Sequence, residues 1–269
     1  MSRIRTAGHS MVELLLALVI SLLPVGTGLM IMVYQQDKKL ADLAQVSLQE
    51  AIYSVDLAVD RIHAAAEHTL RLAGTDCKAA RGEMLEWVNR DSYLRSLALT
   101  HAERGLCTTL GASQELWPRS ADAQSSLQLM FNGPGAGDAP LLVYELQQQN
   151  ARVVATSYAE LLRNELRAFQ TGVTLVLEFA DAFIWLEGDS RDGLRPSLAE
   201  FTVEGTSQKY GYTVKTGFAQ GYSARETQQT MKQLFPSLAL VGLITGAIVY
   251  WALFRRYRTR QLHPVRAEG

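Results

Sequence analysis

Apolar residues collect in two unbroken runs, with a patterned stretch between them. The first run, Leu14 to Val33, is polar only at Ser21 and Thr27, and the second, Phe235 to Phe254, only at Ser237 and Thr245. Each run is 20 residues long. At about 1.5 Å rise per residue such a helix reaches about 30 Å, the thickness of a bilayer's hydrocarbon core, so each run predicts a membrane-spanning helix. The first run exceeds the apolar core of a signal peptide, about 7–15 residues, and Tyr34-Gln35-Gln36-Asp37 offers no small-residue cleavage site. It therefore reads as an uncleaved anchor. The second could compete as a buried core helix, but its length and abrupt charged flanks favour a span.

Between the runs, Leu40, Leu43, Ala44, Leu48, Ile52, Val55, Val59, Ile62, Ala66 and Leu70 keep steps of three or four and predict a long helix continuing out of the first span. Such a helix can couple membrane to domain, pair with its copy in a homodimer, or pack on its own domain. After Gly74-Thr75-Asp76 a second short helix is predicted over residues 79–89. Tyr93 to Thr100 alternates like a half-buried strand, Glu103-Arg104-Gly105 turns, and Leu106 to Thr109 returns. Asn132 to Asp138 is a loop, without the Gly-Lys-Ser/Thr ending of a phosphate-binding loop. Leu141 to Glu145 and Arg152 to Ala155 predict a hairpin, and Ser157 with Glu160 predicts the cap of a helix running to about Phe169. Further strands are expected over 173–179, 183–186, 201–203 and 210–218, then a helix from near Ala224 into the second span. The fold class is α+β, an antiparallel sheet with helices.

Charge adds an orientation. Arg255, Arg256, Arg258, Arg260 and Arg266 follow the second span, against Arg225 and Lys232 before it, which places the C-terminus in the cytoplasm. Arg3 and Arg5 face Lys38 and Lys39 across the first span and decide nothing, but two spans put both termini on one side. The predicted organisation is a cytoplasmic N-terminus over 1–10, a first span over 11–34, a periplasmic domain over 35–233, a second span over 234–254 and a basic cytoplasmic tail over 255–269 that touches anionic lipid. With 26 basic and 27 acidic residues and no basic stripe interleaved with aromatics, nucleic acid is not suggested as a partner.

Only Cys77 and Cys107 are present, both in the predicted periplasmic part, and an even count in an oxidising compartment favours a disulfide. A loop of about 30 residues closed by such a bond gains about 3–4 kcal/mol, a large share of the roughly 5–15 kcal/mol that a whole domain has. Spacing alone reads as an inert staple. A zinc site would need more partners than the nearby His101.

The order of a helical stretch, Cys77, a short amphipathic helix, a strand, Glu103-Arg104-Gly105 and Cys107-Thr108-Thr109-Leu110 resembles the CSS-motif domain of membrane-bound cyclic di-GMP phosphodiesterases. In that family a Cys-Ser-Ser triplet follows a strand and turn, with a second cysteine about thirty residues upstream. Here Thr108 and Thr109 replace the two serines, which keeps hydroxyls and adds β-branching. The resemblance extends through Val153-Val154-Ala155, Lys209-Tyr210-Gly211-Tyr212 and the closing span. It implies a PAS/PDC-like periplasmic sensor in which the Cys77–Cys107 disulfide restrains a cytoplasmic EAL phosphodiesterase and thiol reduction releases it. It also implies periplasmic thiol-oxidising machinery and a cytoplasmic EAL-type partner. No Glu-Ala-Leu signature follows a strand, and the sequence ends at Leu262 to Gly269, where the catalytic domain is expected. The carboxylates that would hold two metals over a phosphodiester are therefore not in this sequence, and a sensor lacking its enzyme is the expectation.

Three lesser patterns complete the reading. Gly8 to Leu14, with Glu13 in the apolar helix, resembles the start of a type IV prepilin, which would make the chain a minor pilin-like structural protein; pilins lack a second span. A ligand-binding receptor domain with a purely structural disulfide is the other alternative. Glu178, Asp181, Glu187, Asp189 and Asp192 are expected to form a solvated face, since the spacing of a calcium loop is missing. The histidines at 9, 63, 68, 101 and 263 form no catalytic pattern, and no catalytic residue, cofactor or metal is predicted.

Overall fold

The computed structural model describes residues 2–103, 105–110, 125–133, 136–169, 172–193 and 195–261, excluding the side chains of 2–14, 17, 125 and 253–261. It divides into two compact units, Ala41–Gln220 and the terminal segments Met1–Leu40 with Gly221–Gly269. Helix α1, Ser2–Arg71, contributes to both.

In the terminal unit, α1 and α4 (Tyr222–Gln261) are each long and apolar enough to cross a membrane, with a mean hydropathy of 1.8 over their most apolar windows. Pro24 and Pro236 lie inside these helices. The Ser21 and Thr27 hydroxyls donate back to the Leu18 and Leu23 carbonyls, so neither is left unpaired in an apolar setting. Gly242 and Gly246 make the helix contact: a Cβ at Gly242 would stand 2.9 Å from Val25 Cγ2, and one at Gly246 would stand 3.0 Å from Ser21 Cβ. Small residues four apart are how spanning helices approach closely.

In the Ala41–Gln220 unit, α1 buries a regular face. Ala44, Leu48, Ala51, Val55, Ala58, Ile62, Ala65 and Thr69 follow steps of four and three, and all are buried. Every second one is alanine. Flanking this seam, Val59 and Ala66 are buried as well. The predicted stripe is thus present, but its centre is narrower than the large side chains alone suggest. Side chains of α1 press on Gly205, where a Cβ would stand 3.1 Å from Ile52 Cδ1.

Two antiparallel sheets receive this face, where the sequence pattern suggested one. The five-stranded sheet has the order β2-β1-β5-β4-β3, from β1 (Ser96–His101), β2 (Gly105–Thr108), β3 (Ser125–Met130), β4 (Leu141–Gln148) and β5 (Ala151–Tyr158). The four-stranded sheet has the order β7-β6-β9-β8, from β6 (Thr174–Phe179), β7 (Ala182–Trp185), β8 (Glu200–Thr206) and β9 (Thr213–Phe218). Helix α2 is Cys77–Arg90 and α3 is Ala159–Arg167. The fold class is α+β.

Strand β3 has no counterpart among the predicted strands, although Leu127 and Leu129 alternate with Ser126 and Gln128. Ser157 belongs to β5 and is buried, so it caps nothing; Tyr158 occupies the α3 N-cap without a side-chain bond, and Glu160 pairs with Arg163. Alternation also misjudged burial. In β1 Ser96, Leu97, Ala98 and Leu99 are all buried, because the face away from α1 carries its own small core of Ala98, Leu141, Val143 and Val154. On that same face Glu145 is 2% exposed and is held by Arg152 through Nε at 2.5 Å and Nη2 at 2.9 Å. The Ser96 and Thr156 hydroxyls meet there at 2.6 Å.

The alanine seam sets a stability test. Ala58→Leu forces methylenes into a close-packed contact and is expected to destabilise the chain by about 1–3 kcal/mol. Leu57→Ala, at a partly exposed neighbour, should cost less, as read from thermal unfolding of the detergent-solubilised protein.

Candidate functional site

Helix α2 begins two residues earlier than its apolar pattern indicates, because Asp76 is its N-cap and accepts the Lys78 N–H at 3.0 Å. That places Cys77 in the first turn of the helix, three residues beyond the 3-10 turn Leu72–Gly74 that follows α1. Cys107 lies in β2 opposite Leu99 of β1. The two cysteines are joined as a disulfide with Cα atoms 5.6 Å apart. The two cysteine residues differ in exposure: Cys107 is 7% exposed, whereas Cys77 is at the surface. A cleft of about 380 Å³ runs beside it, with Leu99 and Ala80 as apolar wall and Thr75, Asp76 and His101 as polar rim. His101 Nδ1 accepts the Glu103 N–H at 3.3 Å, which leaves Nε2 to carry the proton in the neutral ring.

The two threonines after Cys107 have backbone tasks. The Thr109 hydroxyl accepts the Leu97 N–H at 3.0 Å, while the Thr109 N–H donates to the Leu97 carbonyl at 3.0 Å, so the residue extends the β1–β2 ladder past its last strand pair. Thr108 Oγ1 accepts the Leu110 N–H at 3.1 Å and tightens the turn that follows. Both tasks need a β-hydroxyl, which serine and threonine share; this is why the motif's departure from serine leaves the hairpin intact. Arg104, in the preceding turn, lies outside the described residues.

A second constellation was not assigned chemistry in the sequence. On α1, Asp56 accepts the Ser207 hydroxyl at 2.7 Å and the Tyr212 hydroxyl at 2.9 Å. One turn on, Asp60 accepts the Tyr210 hydroxyl at 2.6 Å and Lys209 Nζ at 2.8 Å. His63 Nδ1 meets the Tyr144 hydroxyl at 2.7 Å, and the Tyr144 and Tyr210 rings stand edge to face. Three successive turns of α1 are thereby bonded to the β8–β9 connection and to β4. Hydrogen bonds from Lys209 and then Tyr210 hold the Asp60 carboxyl below its usual range, while burial, followed by the bonds to Asp60 and Asp56, pushes the Tyr210 and Tyr212 hydroxyls up. The readable signal was a pair of aspartates four apart beside the apolar seam, together with Lys209-Tyr210-Gly211-Tyr212.

The acidic stretch is only partly a solvated face. Asp189 is 3% exposed and sits between Arg191, with Nη2 at 2.8 Å, and Arg163, with Nη2 at 3.2 Å. The hydrogen bond from Arg191 holds its carboxyl below the usual range against the opposing effect of burial. Glu178 is bonded to Arg195 and Lys215. Among the described residues no three His, Cys, Asp or Glu side chains converge as a metal site. Of the histidines, His68 packs on Trp87 of α2, and His63 and His101 take the roles above; the His9 side chain and His263 lie outside the described parts.

Two predictions follow from these contacts. Thr109→Val strands the Leu97 N–H and should cost about 1–3 kcal/mol, whereas Thr109→Ser keeps the acceptor and should cost less, compared by chemical denaturation. Asp60 has a depressed folded-state pKa, so its contribution is present above the unfolded carboxylate range and is lost as pH falls through the folded value. The stability gap between the native chain and Asp60→Asn, measured as thermal midpoints against pH, should therefore be widest above about pH 4.5 and shrink on further acidification.

Comparison with curated proteins finds no match. Among solved structures, the chain is similar to the ligand-binding domain of the Pseudomonas aeruginosa PAO1 amino acid chemoreceptor PctB in complex with L-Arg, with a TM-score of 0.52, 11% identity, and coverage of 79% of this chain and 98% of that one. It is also similar to the ligand-binding domain of the Pseudomonas fluorescens chemoreceptor CtaA in complex with L-isoleucine, with a TM-score of 0.49, 12% identity, and coverage of 72% of this chain and 96% of that one. At 11% identity the first likeness is one of fold alone, a PDC-like architecture. The family model described as "CSS motif domain associated with EAL" matches residues 41–231, which holds both cysteines, both motif threonines and the α1–tyrosine contacts. With most of its length so matched, the chain belongs to the CSS-motif domain family associated with EAL.

Proposed function

We propose that this chain is the redox-responsive sensor region of a cyclic di-GMP phosphodiesterase system, held in a bacterial inner membrane by α1 and α4 with residues 35–233 in the periplasm. The observation that carries the reading is a disulfide, in a domain of an EAL-associated family, placed directly after the end of the membrane-entering helix. In this reading the oxidised bond holds α2 to the β1–β2 hairpin and restrains signalling. Reduction frees α2 from the hairpin, and the change reaches an EAL-type phosphodiesterase through the spanning helices. Periplasmic thiol-oxidising machinery sets the resting state. The arginine-rich exit of α4 supports cytoplasmic termini. Val46, Tyr53 and Leu57 are exposed on α1 at steps of seven and four, which supports pairing with a second copy.

A second reading rests on the likeness to the PctB domain: a small-molecule receptor in which the disulfide is only a staple. The two separate by experiment. Co-expression with a full-length EAL phosphodiesterase of this family should give different cytoplasmic cyclic di-GMP levels for the native chain and for Cys107→Ala, with free-thiol content measured alongside. Equal levels, together with a rise in thermal midpoint on adding an amino acid such as L-arginine, would favour the receptor reading.

A further inference from the structure

The unequal exposure of the two cysteine residues gives the exchange reaction a direction. Resting on the redox reading above, we propose that a thiol donor enters at Cys77 and that Cys107 is the sulfur released, the cleft beside α2 being the route of approach. Thiol–disulfide exchange needs the incoming thiolate to line up with the S–S bond on the far side of the sulfur it attacks, so access to that sulfur comes before any electronic preference. Cys107 is 7% exposed, set in β2 and backed by Leu99. Cys77 is at the surface in the first turn of α2, and the cleft rimmed by Thr75, Asp76 and His101 is lined by both cysteines, so the difference in burial and not the cleft sets which of them a donor meets first. A cleft of about 380 Å³ admits one thiol-bearing side chain with the atoms flanking it.

The chemistry balances in two displacements. The donor thiolate forms a bond to Cys77 Sγ, the Cys77–Cys107 bond breaks, and Cys107 departs with the electron pair and takes a proton from water. The donor's second thiol, as thiolate, then attacks its own sulfur in the mixed disulfide. Cys77 departs as thiolate, and the donor dithiol is left oxidised by two electrons. Each step uses the better-placed sulfur. In the first, the accessible one is attacked; in the second, the departing thiolate lies at the N-terminus of a 14-residue helix, where the partial positive charge of the backbone stabilises an anion. Run backwards, the same route oxidises the domain: the disulfide of the oxidant is attacked by Cys77, and Cys107 closes the bond.

The test uses the full chain in detergent, oxidised, and reads which cysteine carries the label. Reaction with reduced glutathione, acid quenching, alkylation and peptide mapping should place glutathione on Cys77 and the alkyl group on Cys107, in excess by about tenfold or more. Independently, Cys107→Ser and Cys77→Ser chains treated with glutathione disulfide should differ in rate by about tenfold or more in favour of the free Cys77, and the difference should vanish in denaturant. Glutathione found equally on both cysteines, or chiefly on Cys107, in the mapped native chain overturns the proposal. So does faster labelling of Cys107 in the folded single variants. Because none of these readouts involves cyclic di-GMP, the direction of exchange can stand even if signalling proves independent of the bond.

Discussion

A helix that serves as the spine of two sheets needs a regular apolar face along the segment that packs on them. In α1 that need is met by alternating alanine with larger residues through Ala44, Leu48, Ala51, Val55, Ala58, Ile62, Ala65 and Thr69, all buried. The larger members reach the sheets, and Leu48 and Ile52 press on Gly205 of β8. Apolar contact of this kind is strong but non-directional. A helix lying on such a seam could still rotate or slide if nothing else held it.

Direction comes from the polar contacts beside the seam. Asp56, Asp60 and His63 engage Ser207, Lys209, Tyr210, Tyr212 and Tyr144, so that one turn of α1 after another is bonded to fixed points of both sheets. Rotating the helix would leave the buried Tyr212 hydroxyl without its acceptor, a cost comparable to that of any unsatisfied buried group. The disulfide adds a covalent tie just past the C-terminal end of α1, joining α2 to the β1–β2 hairpin. The motif hydroxyls keep that hairpin in register at its far end, Thr109 against Leu97 and Thr108 against Leu110. The cysteine and the residues that follow it thus do different work: the sulfur makes a bond that chemistry can break, and the hydroxyls preserve the strand pair that presents it.

Burial on both faces explains why this sheet resists a simple alternating pattern. Glu145 and Arg152 occupy a face that also holds Ala98, Val143 and Val154. A bidentate pair satisfies the two charges where water is scarce. Asp189 between Arg163 and Arg191 repeats the arrangement next to β7. At Asp189 a carboxylate expected on a solvated face is in fact a structural element held by guanidinium groups.

Features encoded by neighbouring residues were legible in the sequence. The two apolar runs, the long helix, the Gly74-Thr75-Asp76 break, the β1–β2 and β4–β5 hairpins and the cysteine spacing all depend on period, length and breakers within a few positions. The family resemblance rested on the same local order and agrees with the match over residues 41–231. What tertiary structure decided is pairing across distance. Whether strands form one sheet or two, whether Ser157 caps a helix or lies in β5, whether Asp189 faces water or arginine, and which of Cys77 and Cys107 is accessible all depend on residues far away in the chain. Hydrophobic period reports only that a side is buried; the partner that buries it, and the donor that meets a hydroxyl or carboxylate there, is chosen when the chain folds back on itself.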